Sequence, residues 1–511
     1  MAVENAMLRR GERLQQAARV PRRQPALPGR ARPLGHVRMT VPIRRRAGVG
    51  APTREQLERA SARIRGFTTL PFAGVEWSLS YAAFLAYSIC IITFRFPVGT
   101  ESMAIALLTL PLERRALRLP LMSVLTFALV GWALVGVLTT AWPEVVITNV
   151  NEFAKICAVV FVGVNVLNTR ARLRMFMAVS TAAFMLFPVK GSLINYFFNN
   201  NTVQGRAIWG YIYSNPNDLA GLALLQLSLV LAAMEVERQK YMQFALRLSV
   251  VLLVLVIFLT QSRGAFIATV AFVLFSGRHY MKQITVKNFM ALMALAAIVF
   301  VVAPESAWKR FSTITYATDE NAFQEDDASV DFITRSDQGS SQQRLAIWKV
   351  ARAIIADNAV TGVGLGAYPL AHFEMQQQSG MPATARGKRD THSTYLKLMA
   401  EVGLIGFAIF MAIVIVTLRT GNAAVKATAK TAPAFASQVR NLQVGLYAYM
   451  VAGIWGSYGT LVATYMHMVL IVVTVTILNE ERAAGGPGVL RPELPFRTSR
   501  RPPMAAAGAR S

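Results

Sequence analysis

Charge is scarce in this chain. Of its 511 residues only 16% are Asp, Glu, Lys or Arg, 54% are hydrophobic, and the mean hydropathy is +0.40. A composition so apolar excludes an ordinary soluble domain of this length. Cysteine is almost absent. Cys90 and Cys157 both fall inside apolar runs, which excludes a disulfide-stapled external loop and leaves them as small core residues. Strictly alternating apolar segments are missing, which argues against a closed barrel. No apolar segment follows the early basic residues, as a cleavable signal would require. The acidic run at 325–327 has no histidine beside it, so neither a metal site nor any other cofactor is expected.

What remains is a series of continuous apolar runs, most of roughly 17 to 25 residues, the length that crosses a hydrocarbon core as a helix. They read as 77–96, 98–112, 120–140, 152–168, 174–194, 216–235, 246–261, 263–277, 287–303, 393–417, 441–458 and 460–478. The sequence therefore predicts an all-α polytopic membrane protein of about twelve spans. The formal charge of +26 does not point to nucleic acid, because the positive residues flank apolar runs and crowd the two ends. With the Arg-rich arm 1–70 placed inside, each inner loop is basic, and both termini are cytoplasmic. That arm has no apolar run and reads as a disordered segment able to touch anionic membrane lipids. The remaining divisions are N-terminal helices over 71–303, one large outer loop over 304–391, C-terminal helices over 392–480 and a tail over 481–511. The outer loop contains a helical pattern at 340–358 and a glycine-rich break at 361–368. Gly362, Gly364 and Gly366 lie outside any strand-turn-helix unit, so a phosphate cradle there has little support.

Candidate chemistry gathers on the outer side. The stretch "DTHSTYLKLMAEVGLIGFAIF" (390–410) places Asp390 and His392 at the mouth of a helix, then Lys397 and Glu401 four apart, then Gly403 and Gly406. Helical geometry predicts a Lys397–Glu401 pair and a close-packing glycine seam on the face of His392. A fixed histidine with a pKa near the ordinary 6.5 accepts a hydroxyl proton at neutral pH; the alternative is an interfacial histidine that only hydrogen-bonds its loop. Arg206, Arg263 and Arg344 lie near span ends on the same side, where guanidinium groups suit an anionic head group such as a diphosphate; snorkelling or loop-pairing arginines are the alternative. At "SNPNDLAG", Asn215 is placed to cap a helix with Pro216 at its first position and Asp218 in its first turn. His372 is a further candidate for lining the site.

These residues resemble the signature of the O-antigen ligase and O-antigen polymerase superfamily. The pattern runs from Arg206 before "PN-x-LA" (Pro216 to Ala220), through "SRGA" (Ser262 to Ala265), then Arg344 and Trp348 before "GVGLG". It ends with His392–Ser393, Gly403 and Gly406. The resemblance covers about residues 75 to 480. It implies a fold related to the GT-C class and an inverting, metal-independent glycosyltransferase of the bacterial inner membrane. Such an enzyme takes a glycan from an undecaprenyl-diphosphate carrier at the periplasmic face and passes it to lipid A-core or to a growing glycan. It implies His392 as the base, Arg263 and Arg344 on the diphosphate with Arg206 beside them, and Trp348 and Ser393 at the site. A polymerase of the same superfamily, for O-antigen or exopolysaccharide, fits the same residues. A lipid-linked glycan transporter or flippase is the rival from another class, and the paired interrupted helices or internal repeats expected of one are not evident.

Overall fold

The structure is a computed structural model, and it describes residues 70–113, 115–280, 308 and 332–485. All regular structure among these residues is helical. In chain order the helices are α1 (Leu79–Thr93), α2 (Gly99–Thr109), α3 (Leu121–Thr139), α4 (Pro143–Val166), α5 (Arg170–Phe184) and α6 (Lys190–Phe197), the last two joined through a π turn at Met185–Val189. They continue as α7 (Pro216–Val236), α8 (Lys240–Leu259), α9 (Arg263–Tyr280), α10 (Phe332–Asp357), α11 (Tyr368–Met375), α12 (Thr394–Thr428), α13 (Pro433–Ala452) and α14 (Val462–Gly485).

Among the described residues, seven helical stretches are long and apolar enough to cross a membrane: α3, α4, the continuous α5–α6 segment, α7, α8, α12 and α14. Leu79–Thr93 and Arg263–Gly277 are shorter apolar helices. The expected span at 98–112 is an eleven-residue helix followed by a short 3-10 turn. The span expected at 287–303, the arm 1–69 and the acidic run lie outside the described residues. The span expected at 441–458 starts earlier, as α13, and buries Gln438, Asn441 and Gln443. These polar side chains are directed into the bundle, where α13 packs against α7, α9, α12 and α14.

Local chemistry explains several boundaries. Asn215 caps α7 by accepting from Asn217 N at 2.9 Å, and Pro216 occupies the first helical position, as expected. The helical pattern at 340–358 lies within α10.

The expectation for Gly403 is overturned. It does not sit on a continuous helical face: its φ of 65° and ψ of −176° break α12 one third of the way along. Beside the break, the carbonyls of Ala400, Glu401 and Val402 lose helical partners. They are taken up from outside the helix: Val363 N donates to Ala400 O at 2.8 Å, Gly364 N to Glu401 O at 3.0 Å, and Trp132 Nε1 to Val402 O at 2.9 Å. In return Leu404 N donates to Ala359 O at 2.8 Å. The glycine-rich segment is therefore a backbone strap laid across the gap. Gly406 keeps the expected packing role, since a Cβ there would meet Trp132 Cδ1 of α3 at 2.8 Å.

A side chain at Gly403 would need a left-handed backbone and would place its Cβ 2.0 Å from Val360 O. Gly403→Ala is expected to cost about 3 kcal/mol or more, combining backbone strain with overpacking. Gly380→Ala shares the positive φ but meets nothing within 4 Å, so its cost should stay near 1 kcal/mol. Melting temperatures of the two purified variants test the contrast.

Candidate active site

The strap fixes one end of the bundle, and the candidate residues converge there. His392 precedes α12 and has a left-handed φ of 46°. Histidine tolerates this region better than most side chains, but its neighbours still have to hold it. Trp348 of α10 donates from Nε1 to Thr391 O at 2.9 Å. Thr391 Oγ1 accepts from Ser393 N at 3.1 Å and donates to Ser393 O at 3.0 Å, closing a small ring around His392. Thr394 N donates to Gly453 O at 2.8 Å, while its hydroxyl bridges Gly456 O and Tyr458 N, docking the start of α12 on the α13–α14 connection. Trp348 and Ser393 thus adjoin His392.

The expected Lys397–Glu401 pair is not the one that forms. Lys397 Nζ reaches back 2.8 Å to Asp390 Oδ1. Asp390 Oδ2 accepts from Ser457 Oγ at 2.6 Å and from His392 N at 3.4 Å, and lies 4.0 Å from His392 Nδ1. The i to i+4 rule presumes two residues competing only along one helix. Here the loop before the helix turns back at His392 and delivers a carboxylate that binds the ammonium first. Burial disfavours the charged form of Asp390, but the Lys397 ammonium and the Ser457 hydroxyl outweigh it and hold the carboxyl below its ordinary range. Burial also lowers the pKa of His392 below its ordinary 6.5; Asp390 opposes this, while the charges of Arg344 and Lys397 reinforce it. His392 is therefore neutral at pH 7, with a side chain 42% exposed.

The arginines play different parts. Arg206 donates from Nε to Thr260 O and from Nη2 to Asn217 Oδ1, both at 2.8 Å. Asn217 Oδ1 also accepts from Ser262 Oγ at 2.7 Å, and its carbonyl accepts from Tyr458 Oη at 3.0 Å. Asn217, the asparagine of the "PN-x-LA" pattern, is the hub that joins the 203–206 loop, the 260–262 turn and the α13–α14 connection. Arg263 opens α9 directly after Ser262 and is half-buried. The charge of Arg344 acts on both His392 and Tyr458. His372, expected as a possible lining residue, is fully buried, with Nδ1 3.1 Å from Gly387 O and its ring against Tyr368. It braces the 386–390 loop from behind.

Together these features define a multi-pass membrane protein with a neutral histidine, a pinned carboxylate and arginines at one end of its helical bundle. Residues 248–411, from α8 into α12, match the family model described as O-Antigen ligase. No curated protein matches the chain significantly in sequence.

Asp390→Asn removes the anion that Lys397 and Ser457 bind, at an expected cost of about 2 kcal/mol at pH 7. Because the folded carboxyl titrates below its unfolded value, this contribution is full above the ordinary carboxylate range. It fades as pH falls below about 4. Wild type and variant should therefore differ in melting temperature at pH 7 and converge towards pH 3.

Proposed function

We propose that the protein is an inverting membrane glycosyltransferase, with twelve spans and both termini cytoplasmic, working at the periplasmic face of the bacterial inner membrane. Its donor is a glycan on an undecaprenyl-diphosphate carrier, and its acceptor is a hydroxyl of lipid A-core or of another glycan. The observation that carries this reading is a neutral, accessible His392 within the electrostatic reach of Arg344 and beside an anchored Asp390.

The acceptor hydroxyl attacks the anomeric carbon from the face opposite the diphosphate. His392 takes the hydroxyl proton, the new glycosidic bond forms, and the bond from the anomeric carbon to the phosphate oxygen breaks with its electron pair leaving on the diphosphate. Arg344 and Arg263 stabilise the charge that develops there, because guanidinium groups match phosphate oxygens in geometry and stay protonated. Arg206, whose donors hold Thr260 and Asn217, frames the turn that presents Arg263. Asp390 favours the imidazole tautomer with its proton on Nδ1, leaving Nε2 to act as base.

His392→Ala is expected to lower transfer by about a hundredfold or more, and Arg263→Ala and Arg344→Ala by about tenfold or more, with membrane insertion intact. The assay is transfer from a purified lipid-linked glycan in reconstituted vesicles. In the wild type the rate should be flat near pH 7 and decline on acidification through a pKa below 6.5, since protonated His392 no longer accepts a proton. Normal transfer by an inserted variant would remove that residue from the mechanism. Movement of the carrier between leaflets with no new glycosidic bond would replace the transferase reading with a flippase.

A further inference from the structure

The segment 207–213 links Arg206 to the Asn215 cap, and so lies at the end of the bundle that carries His392. Its rings pack on the residues that follow α1. Phe94 and Tyr211 stack at 5.5 Å with their planes 17° apart. Tyr213 meets Phe94 edge-on at 6.0 Å, and its hydroxyl donates to Ile92 O at 2.9 Å. Both members of the stack have a left-handed backbone, with φ 49° at Phe94 and 59° at Tyr211. That conformation is an outlier for bulky side chains and lasts only where several contacts impose it. Its result is that the Tyr211 side of the stack is held in place while the residue stays 59% exposed.

Two cations adjoin this stack. The Arg95 guanidinium lies over the Trp209 indole, 5.4 Å from the ring centre. Stacking occupies its face and leaves the five N–H donors, which lie in the guanidinium plane, for an anion. Lys190 begins α6, which abuts the edge of the same indole so closely that a Cβ on Gly191 would lie 2.2 Å from Trp209 Cδ1. One turn before Lys190, the Phe187 ring meets Phe96 at 6.5 Å, tying the two segments together a second time. Arg95 and Lys190 are exposed, and neither pairs with an acid among the described residues.

The depth of this rim follows from the helix that carries Lys190. The continuous α5–α6 stretch begins at Arg170, which pairs with Glu481, and Lys190 stands about 30 Å further along it at the helical rise. That is the thickness of a hydrocarbon core, so Lys190 reaches the lipid headgroups on the side opposite Arg170. Leu186 and Ile194, one turn to either side of it, are exposed and apolar. Anion donors at headgroup depth, flanked by aromatic rings and aliphatic side chains, match a lipid that is charged at its head and apolar below. A free glycan would leave Leu186 and Ile194 uncovered, and a zwitterionic headgroup would bring its own cation to two others. We propose that the rim binds an anionic phospholipid, its phosphate between Arg95 and Lys190, its glycerol against the Phe94–Tyr211 stack and its chains along Leu186 and Ile194. The lipid steadies the 207–213 segment, which leads directly into the Asn217 hub. This site uses none of Arg206, Arg263 and Arg344, and it does not depend on the transferase reading.

Labelling by lipid tests the proposal without any glycan transfer. The full-length protein in phosphatidylcholine nanodiscs receives a trace of phosphatidylglycerol or phosphatidylcholine, each with a photoreactive group at the same place on one chain, and labelled peptides are mapped by mass spectrometry. Phosphatidylglycerol should label peptides containing residues 94–98 and 186–197 about tenfold more than phosphatidylcholine, the preference expected of two cations acting on one net charge. Arg95→Gln combined with Lys190→Gln should erase that preference. Lys240→Gln combined with Arg247→Gln removes the same charge from exposed positions of α8 and should leave it unchanged. Equal labelling of these peptides by the two lipids in the wild type would overturn the inference, whether or not the variants fold. So would a preference that survives in the folded Arg95/Lys190 variant or falls equally in the α8 variant. Displacement of the phosphatidylglycerol by an added polyprenyl diphosphate would also overturn it, by assigning the rim to the donor.

Discussion

Inside a hydrocarbon layer a helix has to satisfy its own backbone, because no water is present to do so. Helix α12 breaks that rule at Gly403, and the features of the candidate site follow from how the break is repaired. The exposed carbonyls of Ala400, Glu401 and Val402 are bonded by the 359–364 strap and by Trp132. The repair ties the loop region to a membrane helix through backbone atoms and holds Glu401 against the strap at Gly366. The segment between Thr394 and the break becomes a short, separately anchored piece, fixed at one end by the strap and at the other by Gly453, Gly456 and Tyr458.

That short piece carries the electrostatics. Lys397 projects from it to Asp390, and the loop turning back at His392 brings the imidazole to the same carboxylate. Ser457 and Trp348 approach from two further elements. A histidine in a left-handed conformation holds its place only when its surroundings over-determine it, and four separate contacts to residues 390, 391, 393 and 394 do so here.

Features governed by neighbours in sequence were legible before the structure. The cap at Asn215, the proline at Pro216 and the helix carrying Arg344 and Trp348 follow from local propensity and periodicity, and the apolar runs marked a multi-pass helical chain. Features governed by distant contacts were not. Lys397 and Glu401 have the spacing of a pair, but spacing carries no information about Asp390 arriving from a loop. Gly403 reads as a packing glycine because its true constraint, the Val360 carbonyl, belongs to another segment. Asn217 looks like an ordinary first-turn residue until Arg206, Ser262 and Tyr458 are seen to share it. His372 illustrates the reverse error, a reactive residue type employed as a buried brace.

The strap has a consequence for how such a protein diversifies. Its grip on α12 uses amide hydrogens and carbonyl oxygens, which every residue except proline supplies in full, and it demands glycine at Gly362, Gly364 and Gly403, where a positive φ coincides with a neighbour too close for a Cβ. The surrounding loop can exchange nearly all its side chains without loosening the attachment. An enzyme whose substrates are glycans of varied composition would gain from that separation, since the surface that recognises sugars can drift while the machinery beneath it stays registered.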